Sequence, residues 1–293
     1  CSSRGLGDVY KRQEYTSTGY HHGQARLAHE LGNLVSKRAI SEAVANIEKN
    51  PNSIMYLMAQ SASDEEKLVR MVSPYLFVAR YYGPDGELLV DEAREIKRWL
   101  AEDPERRFEM ITNSVLTSDN FSAQSNVDIE MIPRVLLDDD TVKAWQAEPA
   151  LSELNAELVD SDEWQQLVNH PRIKVWETGR LDDRMLGGEI DYGKLHAKYM
   201  VSDLVGFLGT SNFDYRSRLF NNEMGFFFRS DDLLKDFEED FELLKSKSLR
   251  WGSPEWLELR KRTAELGGIK GTTTRYQRNI YKFLRGTGLK WYF

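Results

Sequence analysis

The chain of 293 residues holds one cysteine, Cys1, and only five histidines. A single thiol excludes a disulfide framework within the chain and a cysteine-rich zinc site. No run of about 18 apolar residues occurs, so no transmembrane helix lies in this piece. Cations are in deficit: 39 Lys and Arg stand against 47 Asp and Glu, a net charge of −8. That balance excludes a uniformly basic nucleic-acid binder. No Gly-x-Ser-x-Gly elbow is present, and Gly5-Leu6-Gly7 and Gly286-Thr287-Gly288 are too short for a nucleotide fingerprint. No internal repeat of about 20–50 residues is visible. What is present, 41% hydrophobic and 11% aromatic residues, suits a globular protein with a real core.

The chain divides into four expected parts. Residues 1–13 lack an initiating Met and any periodicity, and resemble translated sequencing-adapter read-through. On that reading the chain is the C-terminal part of a longer protein. Residues 14–64, with an imperfect helical stripe of Leu31, Leu34, Ile40, Val44 and Ile47, read as the remnant of an upstream linker or N-terminal half. Residues 65–250 read as the main body, and 251–293 as a basic-aromatic tail.

Within the body, Lys67–Phe77 reads as a strand ending at Ser73-Pro74-Tyr75. Pro84-Asp85-Gly86 is a turn signal. Leu89, Ala93, Ile96 and Leu100 recur at helical spacing, and Arg107–Val115 reads as a second strand. Strand, crossover helix and strand predict an α/β fold with a mixed, mostly parallel sheet flanked by helices. Acidic helices over 134–171 read as an elaboration of that sheet. Ile173–Trp176 and Glu223–Arg229 are further strands, and Lys194–Asp203 with Val205–Phe213 reads as a hairpin. Ser230 is placed to cap a helix that carries Leu233, Leu234, Phe237, Phe241 and Leu244 on one face.

The chemistry concentrates in Leu195–Gly225. On a strand, His196 and Lys198 project from the same face. A cation can hold a phosphate oxygen while a neutral imidazole attacks phosphorus or passes a proton. The neighbouring cation biases the ring toward its neutral form. A carboxylate must then hold the other ring nitrogen, and Glu223, opening the next strand, is the best placed in sequence. Thr210 and Asn212 share a face beyond Gly209 and are candidate phosphate donors.

His196-x-Lys198-x4-Asp203, Gly209-Thr210-Ser211-Asn212, Arg216-Ser217 and Asn222-Glu223-Met224-Gly225 together resemble the second catalytic motif of the phospholipase D superfamily. Ser73-Pro74-Tyr75 and Ile111-Thr112-Asn113-Ser114 resemble the strand ends that precede that motif in its bacterial cardiolipin-synthase-like branch. The resemblance implies a phosphodiesterase or phosphatidyltransferase that needs no metal or other cofactor and works through a phosphohistidine intermediate. It implies catalytic roles for His196, Lys198, Asp203 and Glu223, and phosphate binding by Lys198, Thr210 and Asn212. His196 is nucleophile or general acid/base, the second being more usual for this motif, and Asp203 is the more structural member.

Two departures stand out. The spacer Leu204–Leu208 is one residue shorter than the family's usual one. No second His-x-Lys exists: His21-His22-Gly23, His29-Glu30 and His170-Pro171 do not match. The other motif is expected either upstream or on a second copy of the chain. The implied partners are a phospholipid and a membrane surface, and the implied location is the cytoplasm or the periphery of a bacterial inner membrane. A nuclease of the same superfamily, or an inactive half-enzyme, are the alternatives.

The tail Lys270–Phe293 carries six basic residues and no acidic one. The remainder holds 33 basic against 47 acidic residues, a net of −14, which counts against a nucleic-acid groove. Basic residues interleaved with Tyr276, Tyr281, Phe283, Trp291, Tyr292 and Phe293 suit an anionic membrane interface. They suit equally a tail docked on its own acidic body.

Overall fold

The computed structural model describes residues 21–30, 50–61, 66–83, 85–147 and 153–293. Residues 1–13, the stripe Leu31–Ile47 and Pro84 lie outside the described residues. One sheet of eight strands organises the rest. Its strands are β1 Gln24–Glu30, β2 Leu68–Val72, β5 Arg107–Thr112, β6 Ile173–Thr178, β7 Tyr199–Ser202, β8 Gly206–Gly209, β9 Glu223–Arg229 and β10 Ser248–Arg250, in the order β1-β9-β8-β7-β2-β5-β6-β10. A hairpin of β3 Arg80–Tyr82 and β4 Leu88–Asp91 stands apart, turned by Gly86 at φ +81°.

The α/β class and the mixed sheet match the sequence reading, but the share of parallel strands is smaller than it predicts. Only β2–β5 and β5–β6 run parallel; every other neighbouring pair is antiparallel. The physical reason is connection length. A helix of eleven residues, Glu92–Glu102, links β2 to β5 by way of the hairpin, whereas the tight turn 203–205 brings β8 back along β7, and the connection 210–222, with its helix Tyr215–Leu219, brings β9 back along β8. Residues 24–30, expected to be an upstream remnant, form an edge strand that pairs with β9 along its whole length.

Alternation places the core on both faces of the sheet. Val72, Ile111, Trp176, Tyr199 and Val201 face helix Asp231–Ser246, whose Phe241 is fully buried beneath them. The intervening Met110 and Val175 face the main cluster on the other side. Ser230 does not cap that long helix through its hydroxyl, which instead donates to the His22 carbonyl at 2.7 Å. The acidic face of the helix engages the sheet. Glu238 and Glu242 bind the buried guanidinium of Arg70 at 2.8 and 2.7 Å, and Asp240 accepts from the Tyr199 hydroxyl at 2.9 Å.

The acidic elaboration is continuous with the core. Helices Asp139–Ala147 and Asp162–Val168 deliver Trp145 and Trp164, both fully buried, against Trp251 and Trp256. The four rings stand 4.8–6.0 Å apart, centroid to centroid. The C-terminal segment docks on the body as helices Gly268–Arg275 and Gln277–Thr287. Trp291 packs on Tyr215 and Tyr81, Tyr292 stacks on Phe220 at 5.3 Å, and Tyr281 is buried. Most of the aromatics that suggested a membrane interface are thus spent on intramolecular packing. Tyr276 and Phe283 remain exposed. Replacing Trp164 by alanine removes a ring in contact with two others and a 2.8 Å hydrogen bond to the Gly252 carbonyl. Urea unfolding is expected to register a loss of about 3–5 kcal/mol.

Candidate active site

Register brings the motif together. β7 is antiparallel to both β8 and β2, and β8 to β9. The start of β7, the end of β8, the start of β9 and the end of β2 therefore share one edge of the sheet. The parallel strands β5 and β6 end there too. His196 and Lys198 precede β7, Thr210 and Asn212 follow β8, Glu223 opens β9, and Asn113 follows β5. Loops at the carboxyl ends of parallel strands are where such sheets bind ligands.

The sequence reading puts His196 and Lys198 inside a strand. The structure places both in the irregular segment 191–198 ahead of β7. Burial still alternates across Lys194, Leu195 and His196, with Leu195 inside and its neighbours exposed. Lys198 is buried, and its Nζ turns back to donate to the His196 carbonyl at 2.6 Å. Burial and the Lys194 charge depress its pKa to about 8, opposed by Glu223 and Asp214. The His196 pKa is also lowered, first by burial and then by the Lys198 and Lys194 charges, so a neutral ring is favoured at pH 7.

Glu223 does not reach the ring. Its carboxylate accepts from the Thr210 hydroxyl and from Asn221 Nδ2 at 3.1 Å, so both oxygens already have donors. Thr210 is thereby tied to Glu223 and, at 2.9 Å from its own N–H, to the Met224 carbonyl. Gly209 and Gly225 face each other in this tight pairing, and a Cβ on Gly209 would stand 2.7 Å from the Met224 oxygen. Asn212 is held by its backbone. Its carbonyl accepts from Ser73 Oγ at 2.5 Å, and its N–H donates to Ser217 Oγ at 3.3 Å. The next residue, Phe213, has φ +58°, a left-handed conformation that costs a non-glycine residue of order 1–3 kcal/mol. The Asn212 amide oxygen is buried with no partner among the described residues, leaving an unsatisfied amide at the site.

Asp203 follows the far end of β7, whereas His196 precedes its start. Its carboxylate accepts the backbone N–H groups of Lys67 (3.1 Å) and Leu68 (3.1 Å). This fixes the start of β2 against the β7–β8 turn. Counted with the catalytic residues in the sequence reading, Asp203 is placed to buttress the hairpin and touches none of the other site residues.

Two positions have roles that the sequence reading does not assign, although it quotes Asn113 in the strand end Ile111-Thr112-Asn113-Ser114. Asn113, fully buried, clamps the backbone of Leu195: its Oδ1 accepts Leu195 N–H at 2.9 Å and its Nδ2 donates to Leu195 O at 3.0 Å. The same Nδ2 donates to Pro74 O at 3.1 Å. Asp119 is the carboxylate whose charge acts on the His196 ring, raising its pKa against the two lysines. It lies in the Ser/Thr/Asn/Asp loop after β5, and that position at a parallel strand's carboxyl end is the signal that points to it.

Residues 121–245 match the family described as "Cardiolipin synthase, PLD-like domain". No curated protein matches the chain. Among solved structures it is similar to the phosphatidylserine synthase of Haemophilus influenzae Rd KW20, at 11% identity and a TM-score of 0.49, over 94% of this chain and 49% of that one. It is also similar to NucT from Helicobacter pylori, at 13% identity and a TM-score of 0.36, over 77% and 99%. Nuc from Salmonella typhimurium, a phospholipase D family member, gives 12% and 0.37, over 78% and 99%. The chain spans about half the length of the phosphatidylserine synthase.

Asn113→Ala leaves the Leu195 N–H and carbonyl without their buried partners. A stability loss of about 1–3 kcal/mol is expected, together with faster hydrogen exchange at the Leu195 amide. Unchanged exchange there would remove the clamp from the account.

Proposed function

The chain resembles the phospholipase D superfamily, whose members are phosphodiesterases or transferases, over residues 121–245, and from that premise we propose that it cleaves or transfers a phosphatidyl diester through a phosphohistidine. The observation that carries this reading is the convergence of His196, Lys198, Thr210, Asn212 and Glu223 on one edge of the sheet. The resemblance to the cardiolipin-synthase-like branch supports a phospholipid substrate, and the acidic body supports it over a nucleic acid.

In this reading the reaction needs two histidines. One attacks phosphorus, forming a P–N bond as the P–O bond to the departing alcohol breaks. The other gives that oxygen a proton, then takes one from the incoming water or alcohol as it displaces the first histidine. His196 fills the second role. Its neutral ring is suited to accept a proton, and the lysine charges beside it make the protonated form a ready donor. Lys198, Thr210 and Asn212 hold the non-bridging oxygens, for which Lys198 must turn its ammonium from the His196 carbonyl and Thr210 its hydroxyl proton from Glu223. Glu223 keeps Asn221 in place. The partner histidine comes from a preceding half or a second copy. The exposed Tyr276 and Phe283 beside Arg275, Lys282 and Arg285 support contact with a membrane surface, with the active centre at its periphery.

Two measurements test the proposal. Purified monomer is expected to release no alcohol from a chromogenic phosphodiester, and robust turnover by the monomer would overturn the two-histidine reading. Binding of a dialkyl phosphate, which stays anionic throughout, is expected to weaken as the pH rises from about 7 to about 9. Lys198 loses its proton through about pH 8, and with it the charge that grips the anion. Lys198→Gln is expected to abolish that dependence; a flat profile in the parent protein would remove Lys198 from phosphate binding.

A further inference from the structure

A basin of about 450 Å³ opens at the end of the sheet opposite the candidate active site. Glu223 starts β9 at the site edge, whereas Arg229 ends the same strand in the wall of this basin. Strand register sets the chemistry of the wall. Gln24 of β1 lies opposite Arg229, and Arg26 lies opposite Phe227, so all four share one face of the sheet. The buried Leu57, Val205 and Phe227 give the basin an apolar floor on that face. Gln24, Arg26 and Arg229 line it as exposed side chains.

The two arginines are diagonal cross-strand neighbours, close enough for long side chains to meet. Neither pairs with a carboxylate among the described residues. Arg26 Nη2 donates to the Pro51 carbonyl at 3.1 Å and to Asn52 Oδ1 at 3.2 Å, both neutral acceptors. The guanidinium of Arg229 has no partner among the described residues. Like charges so placed repel unless an anion lies between them. In a chain of net charge −8, this spot runs the other way.

We propose that the basin binds an anionic amphiphile: a carboxylate or phosphate head bridged by Arg26 and Arg229, with an alkyl chain laid on Leu57, Val205 and Phe227. Guanidinium groups match the paired oxygens of such a head and bind it through two parallel N–H bonds. Both bonds of Arg26 use Nη2, which leaves Nε and Nη1 to donate. An apolar floor with a few polar groups converging on one end is the usual make-up of a small-ligand site, and the volume lies in that range. A neutral alkyl chain would leave the two charges unbridged, and a cationic amphiphile would add a third. A nucleic acid would gain nothing from the floor. The site stands on its own walls and does not depend on the phosphodiester reading, since the seven residues of β9 separate Glu223 from Arg229.

The test is an NMR titration of the intact chain, read from the methyl signals of Leu57 and Val205. The probes are decanoate, decyl phosphate, butyrate and decanol, each below its micelle concentration. Decanoate and decyl phosphate are expected to shift both residues' signals and to saturate. The order of the two names the head group as fatty acid or lipid phosphate, and either order upholds the site. Butyrate, six methylenes shorter, is expected to bind at least tenfold more weakly, each fully buried methylene being worth about fourfold. Decanol is expected to bind about tenfold more weakly than decanoate, the worth of a charge-assisted hydrogen bond. Arg229→Gln, an exposed substitution, is expected to weaken decanoate about tenfold and to leave decanol unchanged. Decanol binding as tightly as decanoate, or decanoate affinity untouched by Arg229→Gln, overturns the anion seat. Butyrate binding as tightly as decanoate overturns the apolar floor. Decanoate that leaves the Leu57 and Val205 signals in place overturns the basin as a site, whatever the chain does to phosphodiesters.

Discussion

The His196 ring has no hydrogen-bond partner among the described residues, so its position depends on how its backbone is held. That task falls to the amide of Asn113. Segment 191–198 is not part of a strand, and the two hydrogen bonds a ladder would give Leu195 come from a side chain instead. The arrangement couples two strands that are not neighbours. Asn113 follows β5, His196 leads into β7, and β2 lies between these strands, tied in through Pro74. The Asn113 carbonyl in turn accepts from Gln124 Nε2 at 2.9 Å, which also donates to Asp128 at 2.8 Å. The site is therefore anchored to the deepest polar cluster of the protein.

That cluster is built from charges that burial would otherwise forbid. Asp128 receives Arg260 at 2.5 Å and Gln277 at 2.6 Å, all three being buried. Glu177 lies in the same cluster, takes the Trp256 indole N–H at 2.7 Å, and has its pKa raised by burial and then by Asp128. One cation serves two acids, so Glu177 is held toward its neutral form. Arg260 and Gln277 come from the C-terminal helices, and the segment that reads as a tail thus helps to build the base of the site loop.

The carboxylates of the candidate site and its hairpin divide their work. Glu223 secures Thr210 and Asn221, Asp203 ties the far end of the hairpin to β2, and Asp119 stands on the open side of His196 with Lys194. Sequence order favours Glu223 as the partner of the ring because it opens the strand next to Thr210. The fold gives that carboxylate closer donors, and it brings Asp119 to His196 from about 77 positions earlier in the chain, a distance that strand order can close and local pattern cannot.

The sequence by itself determined the chemistry on offer and the strands that carry it. His196, Lys198, Thr210, Asn212 and Glu223 follow one another across the successive strands β7, β8 and β9, and the antiparallel pairing of sequential strands leaves little freedom in how such residues meet. It also carried the strands of 68–72, 107–112 and 173–178, whose apolar runs have to be buried on both faces. Only the tertiary structure decided the rest: the balance of parallel and antiparallel pairs, the edge strand from residues 24–30, the turning of Lys198 onto the His196 carbonyl, and the recruitment of Asn113, Asp119 and Lys194. Those depend on which strands become neighbours and on which polar atoms are left needing a partner once water is excluded. Both are properties of the packed molecule, not of any local stretch of it.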